Sequence, residues 1–285
     1  MRSGTGLPAG SAGRAATRGP GWWTCRSPGC AARRPSRPPP RRTGALADLV
    51  AAHPDRVEAI ALDVTDGERV DAVAADVLAR YGRVDVLVNN AGRTQVGAFE
   101  ETTDQELRDL FELHVFGPAR LTRALLPQMR ERGSGSIVNM SSLGGQLSFA
   151  GFSAYSATKA ALEQLSEGLA DEVAPFGIKV LIVEPGAFRT NLFGKSAAHF
   201  SAENPVYAEK VGATRNAVRG GDGAQPGDPA KAAAAIQLAL NTENTPLRLA
   251  LGGDAVDALV GHLDSVRDEL AAWEEVPRDT AFDAG

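Results

Sequence analysis

Continuous apolar runs that alternate with helix-like segments constrain this chain more than any other feature. Five runs predict strands: residues 57–62, 84–88, 136–140, 178–183 and 247–251. Strands that are apolar along their whole length, with helices between them, form a parallel sheet covered on both faces. We therefore predict an α/β fold, a Rossmann-like doubly wound parallel sheet in a single domain.

The segments between the runs carry apolar residues at helical spacing. They predict helices over residues 45–52, 66–80, 104–130, 154–174, 228–240 and 254–273. Residues 191–226 are mixed and become glycine-rich toward their end, which indicates a lid or loop region. The predicted domain covers residues 43–275, and residues 276–285 form a tail.

Composition excludes several classes of protein. The 285 residues are 43% hydrophobic, which is enough for a core, and the net charge of −5 does not favour nucleic acid. No apolar run approaches the length of a membrane span. Cys25 and Cys30 are the only cysteines and precede the domain, and the four histidines are scattered. A disulfide framework or a metal site in the domain is therefore not expected.

The first 42 residues differ in composition from the rest of the chain. They contain nine Arg, seven Gly and seven Pro, and they lack Asp, Glu, Lys, Val, Ile and Phe. Such a segment cannot build a buried strand, so we interpret it as a disordered tail. An organelle-targeting peptide is the alternative, because such peptides are rich in Arg and poor in acids. The Pro and Gly content opposes the amphipathic helix that a targeting peptide needs.

Polar and glycine residues follow four of the predicted strands closely. They are Asp63, Asn89 to Gly92, Ser142, and the pair Pro185 and Gly186. Each alone has an ordinary structural interpretation, as a helix cap, turn residues or the start of a loop. In an open α/β sheet, however, ligands bind outside the carboxyl ends of the strands. The convergence of four groups on that edge predicts a ligand site there.

Tyr155 and Lys159 begin the predicted helix over residues 154–174. Because they are four residues apart, both lie on one face of the helix. A neighbouring ammonium favours the phenolate, so it would lower the Tyr155 pKa from about 10 toward neutrality. The Ser142 hydroxyl can donate to a carbonyl or alkoxide oxygen. The spacing alone also fits an exposed helix with an incidental Tyr, but the surrounding groups favour an acid–base site.

In order and spacing, these residues resemble the short-chain dehydrogenase/reductase family from residue 43 to about residue 272. The resemblance rests on Asp63 and Val64, Asn89 to Gly92, Ser142, Tyr155 with Lys159, and Pro185 to Thr190. It implies that Tyr155 is the acid–base group, that Lys159 lowers the Tyr pKa and holds the nicotinamide ribose, and that Ser142 polarises the substrate oxygen. The implied chemistry is hydride transfer between nicotinamide and a substrate carbon.

The resemblance also implies a path for the cofactor. The expected contacts run from the adenine pocket to the nicotinamide end: Asp63, Val64, Asn89, Ala91, Gly92, Pro185, Gly186 and Thr190. Arg41 or Arg42, at the presumed end of the second strand, would pair with a 2′-phosphate, which favours NADP(H) over NAD(H). The alternative is that both Arg belong to the unusual first segment.

His114 stands where the family usually has an Asn whose backbone carbonyl helps to hold a proton-relay water. Because that role belongs largely to the main chain, His114 is a candidate for it. A packed helical histidine is the alternative interpretation.

The start of the chain departs from the family, which begins with a strand and a glycine-rich turn that approaches the pyrophosphate. Thr5, Gly6 and Gly10 fit that turn, but Ala12 replaces its last Gly and no apolar strand precedes it. We hypothesise an out-of-frame translation from about residue 7 to about residue 40. The first two strands of this fold lie in the middle of the sheet, so residues 57–62 would lose their neighbours. We expect poor solubility or weak activity from the chain as written.

The sequence therefore predicts an NAD(P)(H)-dependent oxidoreductase acting on an alcohol or ketone. Residues 145–152 and 191–215 would build the substrate pocket. Four aromatics point to an apolar substrate, although loop aromatics also pack on each other: Phe149, Phe152, Phe188 and Phe193. A non-catalytic product of the same fold, unable to bind cofactor, is the alternative. A sugar-nucleotide epimerase is a third interpretation, which the short region after Thr190 disfavours. We expect a cytoplasmic homodimer or homotetramer.

Overall fold

The structure, a computed structural model, describes residues 46–282 as alternating strands and helices. The helices are α1 Ala47–Ala52, α2 Gly67–Tyr81, α3 Asp104–Phe111, α4 Gly117–Arg132, α5 Ser153–Val173, α6 Ala208–Gly220, α7 Pro229–Asn241, α8 Gly253–Trp273 and α9 Glu275–Arg278. The strands are β1 Val86–Asn89, β2 Thr94–Val96, β3 Gly135–Met140, β4 Ile178–Pro185, β5 Ala198–Phe200 and β6 Arg248–Leu251.

The main sheet is parallel, with the strand order β1-β3-β4-β6. Successive residues of its strands face opposite sides. Ile137 packs in one core cluster with Met129 of α4 and Leu169 of α5. Val138, the next residue, packs in a second cluster that contains Ala239 of α7. Helices therefore cover both faces of the sheet, which confirms the predicted doubly wound α/β fold.

The predicted strand over residues 57–62 is wrong for this chain. These residues adopt no regular structure, and among the described residues no strand lies beside them. A strand needs a neighbour to pair its backbone groups. Part of that pairing is replaced by a side chain, because Arg69 donates from Nε and Nη2 to the Ala61 carbonyl at 3.3 and 3.1 Å. The proposed glycine-rich turn and Arg42 lie outside the described residues.

The predicted lid region is more ordered than its sequence indicates. It contains α6 and also β5, which pairs with β2 in a second, two-stranded parallel sheet. The predicted helix over residues 104–130 is divided by a π-helical turn, Glu112–Phe116, between α3 and α4. The short helix α9 lies across the start of the predicted tail. Within residues 46–282, no helix is both long enough and apolar enough to cross a membrane.

Truncation of the sheet core tests this packing. Leu181 of β4 is fully buried between the sheet and α7. Leu181→Ala should lower the free energy of unfolding by about 2–5 kcal/mol, because it leaves a cavity as well as removing apolar contacts. Leu238→Ala, at an exposed position of α7, is the control and should change it by less than about 0.5 kcal/mol. Urea unfolding of both variants measures the difference, and equal losses would contradict the assigned core.

Candidate active site

Ser142 is presented by the end of β3. Its side chain caps the 3-10 turn Leu143–Gly145, because Ser142 Oγ accepts the Gly144 N–H at 3.1 Å. The hydroxyl proton is thereby directed away from the turn, and the Ser142 hydroxyl acts on Tyr155 so as to lower its pKa. The strand end and the turn together fix the direction in which Ser142 donates.

Tyr155 and Lys159 lie on the buried face of α5, with 9% and 6% of their surface exposed. Lys159 Nζ is 5.7 Å from the centre of the Tyr155 ring and donates to the Met140 carbonyl at 2.8 Å. The helix spacing therefore brings the phenol and the ammonium together as the sequence indicates.

Burial dominates the acid–base properties of both groups. It raises the pKa of Tyr155 above its usual value, and the hydrogen bond with Ser142 opposes that rise. Burial also lowers the pKa of Lys159 to about 8, and the nearby Glu163 opposes that change. The Tyr155 pKa is therefore raised in this structure, not lowered as expected from the sequence. In this state Tyr155 is a neutral phenol that can act as an acid.

A cavity of about 160 Å³ opens beside the Ser142 and Tyr155 side chains. The described residues that line it are Thr94, Ser142, Leu143, Gly144, Phe149, Phe152, Tyr155, Ser156, Pro185, Gly186, Ala187, Leu192, Phe193 and Asp254. The structure thus brings together four of the predicted site residues and three of the four predicted aromatics. The fourth aromatic, Phe188, packs instead against the core below α7.

Asp254, which is not among the residues predicted from the sequence, holds the loop after β4. Its carboxylate accepts the Ala187 N–H at 2.7 Å. A Cβ atom at position 186 would overlap this carboxylate, so Gly186 is required for the close approach. Its position in the chain is the signal that could have identified it, because Asp254 follows β6 at the same carboxyl edge of the sheet as Ser142.

Asn89 lies in a buried polar network rather than on the cavity wall. Its Nδ2 donates to Asn139 Oδ1 at 2.8 Å, and Asn139 Nδ2 donates to Ser166 Oγ at 2.8 Å. The network runs from β1 through β3 to α5. Asn89 therefore fixes the position of the chain that continues to Ala91 and Gly92.

His114 is fully buried in the π-helical turn and joins two parts of the site. Its Nε2 accepts the Arg93 N–H at 3.2 Å, and its Nδ1 is 2.8 Å from Thr158 Oγ1. Thr158 Oγ1 in turn donates to the Tyr155 carbonyl at 2.7 Å. This sequence of donors assigns the ring proton to Nδ1. The His114 ring also stands edge-on to Tyr155, with 5.7 Å between ring centres.

The other predicted contacts do not line the cavity. The Asp63 carboxylate accepts the Thr65 N–H and hydroxyl at 3.0 and 2.7 Å. Val64 lies against Gly117, where a Cβ would come within 2.9 Å of the Val64 carbonyl. Thr190 Oγ1 accepts the Leu192 N–H at 3.4 Å. Among residues 46–282 there is no group of three His, Cys, Asp or Glu side chains that could hold a metal ion.

Comparison with known proteins identifies the family. Residues 37–200 match the short chain dehydrogenase family. The chain belongs to this family. An oxidoreductase of Botryotinia fuckeliana is 37% identical over 228 residues, which are 80% of this chain and 81% of the relative. Residues 1–36 lie outside the family match, and the out-of-frame origin of the segment from about residue 7 to about residue 40 stays a prediction.

Two solved structures extend the comparison. A short-chain dehydrogenase from Streptomyces avermitilis is 85% identical, with a TM-score of 0.80 over 85% of this chain and 87% of that one. L-sorbose reductase from Gluconobacter frateurii, crystallised with NADPH and L-sorbose, is 36% identical, with a TM-score of 0.50. That match covers 54% of this chain and 58% of the reductase.

Removal of the buried ammonium should stabilise the protein. Because burial lowers the Lys159 pKa, the folded state carries the cost of the cation at every pH below about 8. Lys159→Met should therefore raise the free energy of unfolding at pH 7 by about 1–2 kcal/mol, after loss of the Met140 hydrogen bond is subtracted. The wild type recovers stability as the pH rises from about 8 to about 10.5, so the gain should shrink in that window.

Denaturant unfolding at pH 7 and pH 10 measures this difference. Lys210→Met, at an exposed position of α6, is the matched control and should show no such pH dependence. A Lys159→Met variant that is less stable than the wild type at pH 7 would show that the ammonium stabilises the fold.

Proposed function

We propose that this short-chain dehydrogenase transfers a hydride between NAD(P)(H) and a CH–OH or carbonyl carbon, with Tyr155 as the acid–base group. The observation that carries the proposal is the position of the Ser142 and Tyr155 side chains. Both side chains line the same cavity, and the buried Lys159 Nζ lies 5.7 Å from the centre of the Tyr155 ring. Two hydroxyl donors that line one cavity form a site for a substrate oxygen.

The residues present fit the nicotinamide end of a dinucleotide. An ammonium has three donors, and the Met140 carbonyl takes one of them, so Lys159 can also bind hydroxyl groups of a ribose. Because residue 186 is a glycine, no side chain covers the backbone there at the cavity wall. The residues assigned to the nicotinamide end are Lys159, Pro185, Gly186 and Thr190. Asp63, Val64, Asn89, Ala91 and Gly92 are assigned to the remainder of the cofactor.

Proton transfer is the part of the reaction that the chain itself performs. Nicotinamide, when bound, supplies or accepts the hydride. In reduction, the neutral Tyr155 phenol gives its proton to the carbonyl oxygen while Ser142 donates a hydrogen bond to that oxygen. In oxidation, Tyr155 first gives its proton to solvent, and the Lys159 ammonium stabilises the resulting phenolate. The phenolate then takes the proton of the substrate hydroxyl group. His114, with its proton held on Nδ1, positions the Tyr155 backbone through Thr158.

The cavity lining favours an alcohol or ketone with an apolar body. Phe149, Phe152 and Phe193 line the cavity together with Leu143 and Leu192. Asp254 adds one carboxylate at the same cavity, beside Gly186. An aliphatic or aromatic ketone that reaches between the two hydroxyls satisfies this arrangement.

Removal of the Tyr155 hydroxyl tests the catalytic assignment. Tyr155→Phe should lower kcat for ketone reduction by about 10²–10⁴-fold, because general acid catalysis contributes that much. NADPH binding, followed by nicotinamide fluorescence, should remain. Tyr81→Phe is the matched control, since Tyr81 is exposed at the end of α2, and it should retain full activity.

The same titration separates the two candidate functions. A chain that melts cooperatively but shows no fluorescence change with NADPH or NADH supports the non-catalytic alternative. A chain that binds NADPH, and whose Tyr155→Phe variant reduces ketones as fast as the wild type, contradicts the role of Tyr155.

NADP(H) is the proposed cofactor, with Arg42 as its 2′-phosphate contact. The similar L-sorbose reductase structure contains NADPH, which supports the choice. Arg42→Ala should weaken NADPH binding about tenfold, because a charge-assisted hydrogen bond contributes about 1.5–3 kcal/mol. NADH binding should not change, and Arg130→Ala on the exposed end of α4 should affect neither. If Arg42→Ala weakens the binding of NADPH and NADH equally, Arg42 is not the 2′-phosphate contact.

A further inference from the structure

Two buried carboxyl groups lie directly behind the site and have no part in the proton transfer described above. Glu163 is one helical turn beyond Lys159 on α5, and Glu184 is the seventh residue of β4. Each is only 2% exposed. A carboxylate is almost never buried to this extent without partners, because the loss of hydration is costly.

Both carboxyl groups hold the segment that carries Ser142. Ser141 Oγ donates to Glu163 Oε1, and Gln146 Nε2 donates to Glu184 Oε1 at 2.7 Å. The segment 141–146 is therefore attached near both of its ends. Between them, Gly145 lies so close to the Glu163 carboxyl that a Cβ there would overlap it. The two carboxyl groups therefore hold the segment 141–146 in place.

The positive charge around the two carboxyl groups is limited. Arg248 Nε of β6 lies 3.8 Å from Glu163 Oε2 and 3.4 Å from Glu184 Oε1, so the two carboxyl groups face one N–H. The other end of the Arg248 guanidinium binds Glu167 of α5 at 2.6 Å. Lys159 interacts with Glu163 electrostatically from the preceding turn. Both carboxyl groups thus lie close to the same Arg248 N–H, and the negative charge of Glu184 acts on Glu163. A proton held between two carboxyl groups this close removes their mutual repulsion.

We propose that Glu163 and Glu184 share one proton, and that the protonated pair positions Ser142 through Ser141 and Gln146. Both are positioning residues, and their effect on turnover rests on the oxidoreductase function proposed above. Loss of the shared proton places two anions next to each other beneath the segment. Their repulsion moves the segment 141–146 and turns the Ser142 hydroxyl away from the substrate oxygen.

The acid–base behaviour of Glu163 agrees with this geometry. Burial, and after it the negative charge of Glu184, raise its pKa to about 7, and the Ser141 hydrogen bond opposes that rise. The folded protein therefore holds a proton between pH 4.5 and about 7 that the unfolded chain has lost. Stability from this group falls as the pH rises through that window.

The first experiment needs no enzymatic activity. Glu163→Gln keeps an acceptor for Ser141 and supplies a permanent donor toward Glu184, so it imitates the protonated pair. As the pH rises from 5 to 8.5, the melting temperature of the wild type should fall relative to that of Glu163→Gln. Glu167→Gln, the same change one turn along α5 at a half-exposed contact of Arg248, should follow the wild type. A constant difference between wild type and Glu163→Gln over the whole range overturns the shared proton.

The second experiment tests the positioning of Ser142. Hydrogen exchange of residues 141–146, corrected for the intrinsic effect of pH, should increase above pH 7 in the wild type and not in Glu163→Gln. In parallel, the ratio of kcat for Glu163→Gln to kcat for the wild type should rise about tenfold between pH 6 and pH 8.5, with NADPH affinity unchanged.

The outcomes separate this proposal from the proposed function. Unchanged exchange in both proteins overturns the positioning role even if the enzyme is active. A chain without turnover refutes the oxidoreductase function, while the melting and exchange measurements still decide the carboxyl pair. The kcat ratio for Glu167→Gln should remain flat, because that carboxylate does not contact the segment 141–146.

Discussion

The packing of α5 against the ends of β3 and β4 is the constraint on which the site depends. One helix face carries Tyr155, Lys159 and Glu163 at intervals of one turn, and all three are buried. Polar groups on a buried face must find partners. Lys159 binds the Met140 carbonyl and Glu163 binds the Ser141 hydroxyl. Because these partners immediately precede Ser142 in the chain, the contacts that satisfy the helix also set the distance from Tyr155 to Ser142.

The opposite side of the site is held by polar links of a different kind. His114 connects the Arg93 backbone to Thr158, and Asn89 reaches α5 through Asn139. Each link ends on α5, so the loop after β1 and the turn after β3 are both positioned relative to the same helix. Directional hydrogen bonds fix such positions better than apolar contacts do, since their geometry tolerates little displacement. Burying these polar groups costs free energy, and their hydrogen bonds give the site one defined arrangement.

The sequence predicted the parts of this arrangement that follow from local periodicity. Ser142 and Gly186 could be placed because parallel strands end at one edge, and Tyr155 and Lys159 because helix spacing puts them on one face. The link from His114 to Thr158 and the contact of Glu163 with Ser141 join residues far apart in the chain, so no periodic signal reveals them. Residues 57–62 were misjudged for a related reason: an apolar run becomes a strand only where a neighbour can pair with it.

The sheet also separates the proton-transfer groups from the rest of the cofactor path. Within the described residues the sheet ends at β1, where Val86 and Val88 are 43% and 51% exposed. An edge strand with exposed β-branched side chains is open to pairing with another chain. The groups proposed to transfer the proton lie beyond this edge, on β3, β4 and α5, which pair and pack with one another. The partners that hold these groups all lie among the described residues, whereas Asn89, proposed as a cofactor contact, ends β1. The proposed nicotinamide contacts Lys159 and Pro185 lie on α5 and β4, with the groups proposed to transfer the proton. The part of the cofactor path that depends on the chain before β3 is therefore the part proposed for the remainder of the dinucleotide.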